Sequence, residues 1–209
     1  FKGSWLSLFL KELGANVSGY SLKPKNPSLF KVAQIDQDVE SVYGDIRNFE
    51  KVDSFLKKIQ PEILFHLAAQ PLVTESYLKP LETVEVNVLG SSNILMAARN
   101  VDSIKSIVNV TTDKCYDNKE WEWPYRESDP LGGNDPYSAS KACVEIMNNS
   151  FKQSFFKAKG VGLATARAGN VIGGGDWAKN RIVPDIIKAI KNGEKVSLRY
   201  PNSTRPWQH

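Results

Sequence analysis

Cysteine is scarce in this chain, with two in 209 residues. Cys115 and Cys143 match no zinc-type spacing and build no disulfide framework, so no metal site is expected and a reduced, cytoplasmic setting is the default. An excess of one charge is also lacking: 27 Lys and Arg face 23 Asp and Glu, for a net charge of +4. The cations are scattered among acids and form no basic stripe, which argues against a nucleic-acid partner. No apolar run is long enough to span a bilayer, and no signal peptide is recognisable. Residues 4–13 are apolar on one face only, and Lys11 and Glu12 interrupt them. Internal repeats and low-complexity segments are absent.

What is present is an ordinary globular balance, 41% apolar and 24% charged, enough for one domain or a domain and part of another. Strand-like and helix-like stretches alternate. Residues 3–13 read as an amphipathic helix stopped by Gly14. Residues 16–20, 39–43, 62–67, 106–110, 162–166 and 196–200 read as strands. The 62–67 run is nearly all apolar, as in a parallel sheet buried on both faces. Asn48 can cap a helix to Ile59; residues 81–100 predict a long helix with Val84, Val88, Ile94, Leu95 and Ala98 on its apolar face. Pro136 suits the first turn of another helix, to about Lys157, and residues 183–191 predict a last one. The alternation argues an α/β fold with a doubly wound parallel sheet. Both ends look cut, with no strand before Phe1 and no closing element after His209.

The chemistry gathers between Ser106 and Lys141. Such sheets bind ligands beyond the carboxyl ends of their strands, and the 106–110 strand delivers Thr112, Asp113 and Lys114 there. Tyr137 and Lys141, four apart, share one face of the helix that follows. A phenol titrates near ~10, but a neighbouring ammonium favours the phenolate, so the pair can act as a base. Thr112 can bond a substrate oxygen. Asp113 can donate a proton if burial raises its pKa, or simply cap a turn, and Lys114 can be a base, a charge partner or a loop lysine. Elsewhere, Gly3 at a helix N-terminus can approach a pyrophosphate. Asp45 can accept from an adenine amine or begin a turn. Leu67, Ala68 and Ala69 allow close backbone approach to a cofactor or simply pack tightly. Asn170, Arg181, Arg199 and Arg205 can grip a diphosphate, which suits the guanidinium fork. His66, inside an apolar strand, reads as a core residue. Trp121, Trp123 and Tyr125 read as a loop packed on itself.

Together, Gly44-Asp45-Ile46, His66-Leu67-Ala68-Ala69, Asn87-Val88-Leu89-Gly90, Thr112-Asp113 and Tyr137-Ser138-Ala139-Ser140-Lys141 resemble the extended short-chain dehydrogenase/reductase family. The longer strings Ala69-Gln70-Pro71-Leu72-Val73, Thr112-Asp113-Lys114-Cys115-Tyr116 and Arg167 to Trp177 resemble its nucleotide-sugar 4,6-dehydratase branch. The resemblance implies a Rossmann-type fold truncated at both ends. It implies an NAD-binding domain over 1–170, lacking its first strand, and over 171–209 the start of a nucleotide-sugar-binding region. It also implies a lyase that oxidises C4 of CDP-glucose with bound NAD, eliminates water across C5/C6 and returns the hydride to C6. The product is a 4-keto-6-deoxy sugar of the kind built into surface lipopolysaccharide. Tyr137 becomes the base at the 4-hydroxyl, with Thr112 bonding that oxygen and Lys141 holding the nicotinamide ribose. Ile46, Gln70 and Asn87 join Gly3, Asp45 and Leu67 to Ala69 around the cofactor, and Ser76 joins the substrate contacts.

The better-known dTDP-glucose branch carries Asp-Glu where this chain has Asp113-Lys114, so the C5 base stays open between Lys114 and Tyr137. No acidic residue stands at Tyr20 or Ser21, which leaves NAD over NADP to the resemblance. A homodimer through the 81–100 and 136–157 helices is implied as well. An epimerase or reductase of the same family, and a non-catalytic dinucleotide sensor or scaffold, are the alternatives. The Asp113-Lys114 pair argues against the first, and the intact Tyr137 and Lys141 against the second.

Overall fold

The structure is a computed structural model that describes residues 1–198 and 200–209. It divides into two compact units: residues 18–23 with 41–168, and residues 1–17, 24–40 and 169–209. The larger unit holds the strands β1 (Ser18–Ser21), β2 (Glu40–Tyr43), β3 (Ile63–His66), β4 (Ser106–Val110) and β5 (Gly162–Ala166). β1 pairs with β2. β3, β4 and β5 form a parallel sheet in that order, with His66 opposite Asn109 and Asn109 opposite Thr165. This is the parallel-strand and helix alternation of a Rossmann-type α/β fold, its hydrogen-bonded ladders divided into separate sheets.

Helix α3 (Phe49–Ile59) begins where expected. Asn48 Oδ1 accepts the Lys51 N–H at 2.9 Å, filling one of the helix's orphan donors. Its Val52 and Leu56 pack with Ile94 and Leu95 of the next long helix and with Leu64, Ile107 and Leu163 of the sheet. Full burial of each such side chain is worth ~1.5–3 kcal/mol. Strand periodicity sends every second side chain to this face. Ile63 and Phe65 therefore point the other way and are exposed, so β3 is not buried on both faces as its near-continuous apolar run suggests.

The long helix over 80–99 is α5 (Pro80–Val84), a π-helical turn (Glu85–Leu89) and α6 (Gly90–Arg99), preceded by the short α4 (Val73–Leu78). Its buried face is the expected one at Ile94, Leu95 and Ala98 and differs in the stretch before them. Val84 is exposed, while Thr83, Asn87, Gly90 and Ser91 are buried, because this stretch meets polar partners rather than a greasy wall. α7 (Pro136–Phe151) runs on into a second π-helical turn, Lys152–Phe156.

The smaller unit contains α1 (Lys2–Glu12), α2 (Leu29–Val32), β6 (Asn170–Val171), α8 (Ile182–Asn192) and β7 (Trp207–Gln208). β6 and β7 pair in parallel. The strand expected over 196–200 does not form at Val196–Leu198 or Tyr200. Too few alternating apolar residues there find a ladder partner. No helix among the described residues is long and apolar enough to cross a membrane.

Candidate active site

The end of β4 and the start of α7 build the site. Asp135 caps α7: its Oδ1 accepts the Ser138 N–H at 2.9 Å, and its Oδ2 accepts the Ser138 hydroxyl at 2.6 Å. Pro136 occupies the first helical position, where no N–H is missed. Gly133 lets the preceding loop lie against this turn. Its φ is +149°, and a Cβ there would stand 2.5 Å from Ala139 N and 2.6 Å from Ser138 C. The first two turns thus hold Tyr137 and Lys141 on one face, both buried.

Lys141 Nζ donates to the carbonyl oxygen of Val110 at 3.2 Å. Val110 is the last residue of β4, so the ammonium is set directly beneath Thr111 and Thr112. Thr112 Oγ1 donates to Asp113 Oδ1 at 3.0 Å and accepts the Lys114 N–H at 3.4 Å, capping a short 3-10 turn over Asp113–Cys115. Asp113 and Lys114 are half-buried on that turn. The Asp113 N–H donates to Ala168 O at 3.1 Å. All five expected catalytic residues therefore lie on two adjoining pieces of backbone.

A polar relay locks the neighbouring strand end to this pair. The Gln70 N–H donates to Asn87 Oδ1 at 2.8 Å, and Asn87 Nδ2 donates to Ser140 Oγ at 2.9 Å. Ser140 Oγ donates in turn to Tyr137 O at 2.7 Å. Ser91 Oγ donates to Asn87 O at 2.5 Å and so accepts from His66 Nε2, 2.9 Å away, which assigns the ring proton to Nε2. Burial, and then the Lys141 charge, push the His66 pKa down to about 3. His66 is a neutral core residue, as its apolar strand suggests. Asn87 sits in the π-helical turn, a feature that often marks functional positions.

The remaining expected residues fall as follows. Leu67, Ala68, Ala69 and Gln70 are half-buried at the carboxyl end of β3, beside that of β4. Ile46 is buried against Gly90. The Asp45 carboxylate accepts from Arg47 Nη2 at 2.7 Å and from Arg47 Nε at 3.1 Å, which holds it below the usual carboxylate range. Ser76 is fully buried, and its hydroxyl donates to Val73 O at 2.7 Å. The others belong to the smaller unit. Gly3 stands near the start of α1 with open space around it. Asn170 is in β6. Arg181, just before α8, lies 3.7 Å from Asp176 Oδ2, and Arg205 is exposed. Arg199 lies outside the described residues.

Sequence reasoning missed one buried cluster. Glu145, on α7 one turn after Lys141, accepts from the Thr111 hydroxyl. It also accepts from Thr165 Oγ1 at 2.9 Å and from Arg167 Nη2 at 2.9 Å. The i+4 spacing from Lys141 was a readable signal; the partners on β4 and β5 were not. Cys115 is fully buried, and its thiol is pushed up to about 11, mainly by desolvation. Among the described residues, no group of three or more His, Cys, Asp or Glu side chains is arranged to hold a metal ion.

The family model described as GDP-mannose 4,6 dehydratase matches residues 1–209, and the chain belongs to that family. A curated relative, the CDP-glucose 4,6-dehydratase of Salmonella typhimurium, is 54% identical over 215 residues, covering 100% of this chain and 60% of the relative. The chain thus spans about three-fifths of that relative's length. Two solved structures share the fold. UDP-glucose 4-epimerase of Thermotoga maritima matches with a TM-score of 0.86 at 23% identity, covering 99% of this chain and 65% of that one. A double-mutant dTDP-glucose 4,6-dehydratase of Streptomyces venezuelae with NAD bound matches with a TM-score of 0.84 at 22% identity, covering 99% and 63%.

Proposed function

We propose that this chain carries the cofactor-holding and catalytic portion of an NAD-dependent nucleotide-sugar 4,6-dehydratase acting on CDP-glucose. The observation that carries the reading is the Lys141–Val110 hydrogen bond, which ties the Tyr137/Lys141 helix to the strand end that presents Thr112, Asp113 and Lys114. The 54% identity to a CDP-glucose 4,6-dehydratase supports the choice of nucleotide sugar.

The residues fit a dinucleotide. The small side chains Ala68 and Ala69 leave the β3 end open to close backbone approach, next to Lys141, whose ammonium suits a ribose hydroxyl. Asp45, just past β2, offers a carboxylate acceptor. When bound, NAD supplies the oxidising and reducing equivalents at C4 and C6. The protein's part is proton traffic and orientation. Tyr137 Oη takes the proton of the sugar 4-hydroxyl, and the nearby ammonium makes the phenolate accessible. Thr112 Oγ1 turns from Asp113 to hold the same oxygen. Once C4 is a ketone, the C5 proton is acidic and is removed by Lys114 in its neutral form, or by Tyr137 after it has passed the 4-hydroxyl proton on to solvent. Asp113 donates a proton to the departing 6-hydroxyl, which leaves as water.

Incubation of the protein, at its full natural length, with CDP-glucose and separately with dTDP-glucose tests this. The expected result is the alkali-induced absorbance of a 4-keto-6-deoxy sugar with CDP-glucose alone. Absence of signal with both sugars, from protein that retains NAD, would overturn the dehydratase reading in favour of epimerase or reductase chemistry.

The same reading includes a homodimer through the helical runs 80–99 and 136–156. Supporting it, Leu81, Leu89 and Ile146 on those helices are 78%, 51% and 60% exposed. Such a row of large apolar side chains on two adjacent helices suits a partner helix pair.

A further inference from the structure

We infer that Glu145 and Arg167 are positioning residues that set the Asp113–Lys114 turn against Tyr137 and Lys141. The inference rests on the dehydratase reading for its kinetic consequence, but not for its structural one. The Glu145 side chain is 4% exposed and that of Arg167 17%, so the carboxylate is buried and the guanidinium half-buried. Glu145 rises from α7 and reaches three other places. Its Oε1 accepts from Thr111, the residue before Thr112, while its Oε2 accepts from Thr165 on β5 and from Arg167 just beyond it. One carboxylate thus fixes the helix of Tyr137 and Lys141 to the ends of both β4 and β5.

Arg167 extends the linkage to the far side of the turn. Its guanidinium lies over the Tyr116 ring, 4.8 Å from the centroid, and its Nη1 donates to Glu127 O at 3.0 Å. Tyr116 follows Asp113-Lys114-Cys115 directly. It stacks on Tyr125 at 5.0 Å, and Tyr125 packs on Trp121 at 5.3 Å. The segment from Tyr116 to Leu131 is closed by two backbone bonds, Asp117 N–H to Pro130 O and Gly132 N–H to Cys115 O, both 2.9 Å. Thr111 and Tyr116 bracket the turn, and the Glu145–Arg167 pair holds both. The elimination chemistry assigned to Asp113 and Lys114 depends on this brace more than the oxidation at Tyr137 does, since Lys141 has its own anchor on Val110.

Arg167→Lys tests the inference, because it keeps a cation beside Glu145 but loses the planar fork and the stack. Thr111→Val removes one hydroxyl and leaves the ion pair whole, so it serves if the first variant folds poorly. Amide hydrogen exchange is read at Tyr116, Asp117 and Gly132, with the α7 amides as internal reference. In Arg167→Lys the three loop amides should exchange ~10-fold faster while the α7 amides hold their rates. With CDP-glucose, kcat should fall ~10- to 100-fold with KM within ~2-fold. Absorbance at 340 nm should rise during turnover, because elimination lags oxidation. For Thr111→Val the same signs are expected at smaller size. Unchanged loop exchange in both folded variants overturns the brace. Loop loosening with normal kcat, in a preparation whose parent is active, overturns its catalytic role. An inactive parent sinks the dehydratase reading and leaves the exchange result to decide the brace.

Discussion

The Lys141 ammonium donates to the Val110 carbonyl at 3.2 Å, so a helix side chain is tied to the backbone that presents Thr112. The charge thereby gains a fixed place beside the strand end and beside Tyr137, one helical turn away.

Replacing that ammonium separates its two effects. Lys141→Met should lower kcat by roughly 10²–10⁴-fold, the scale of a lost acid–base contribution. It should also move the alkaline dependence of the remaining activity to higher pH, since a phenol without a nearby cation is harder to ionise. The Val110 carbonyl loses a donor, and stability should fall by ~1 kcal/mol or slightly more. A pH–rate profile together with a urea melt checks both. An unshifted profile would remove Lys141 from the activation of Tyr137.

Buried His66 makes stability depend on acid. Its folded-state pKa, about 3, lies below the ordinary 6.5, so the unfolded chain binds the proton first as pH falls. The contribution is complete above the unfolded value and declines as pH drops from 6.5 toward 3. At pH 5 about 2 kcal/mol should have been lost through this group. His66→Gln keeps an amide donor for Ser91 and should flatten the difference between urea melts at pH 7 and pH 5. An equal difference in both proteins would place the acid sensitivity elsewhere.

At Gly133 a single methyl group should disturb the site from outside it. Gly133→Ala must adopt φ +149° and press Cβ into the backbone of Ser138 and Ala139. We expect a loss of ~2 kcal/mol and, with CDP-glucose, a drop in kcat as the first turn of α7 shifts under Tyr137. Thermal melts and steady-state rates measure the two. A variant with parental stability would show that the loop can move aside.

The exposed helix faces predict association. Leu81→Glu with Ile146→Glu should convert a dimeric protein to monomer in sedimentation velocity while leaving the far-ultraviolet circular dichroism unchanged. A monomeric parent would refute the dimer directly.

Much of the fold is written locally. β4 and β5 occupy the same residues that their apolar runs mark, and α7 starts at the Asp135-Pro136 signal. Asn48 caps α3 as its side chain allows. The polar interior was less readable. Thr83, Asn87 and Ser91 look like the outside of a helix, yet they are buried because Gln70, Ser140 and His66 meet them. Glu145 and Arg167 are 22 residues apart in sequence, and only the parallel pairing of β4 with β5 reveals their shared purpose. The 196–198 run shows the opposite failure: local strand propensity without a neighbour to pair with forms no strand. In the candidate site, the neighbouring placement of Tyr137, Lys141 and Thr112 was legible because they stand near the start of α7 and the end of β4, whereas the bond from Arg47 to Asp45 was not.

The π-helical turn at Glu85–Leu89 has a consequence for the chain's tolerance of length changes. A wider turn holds one extra residue without lengthening the helix much. Deleting one of its residues would close the bulge to ordinary α geometry and leave everything after it close to its present register. Gly90 would keep its place against Ile46, Leu95 its place in the core and Ser91 its bond to His66, while Asn87 and its partners would have to readjust. A single-residue deletion here would therefore be absorbed far better than one within α6, which would rotate the residues after it by ~100° and act like several simultaneous core substitutions.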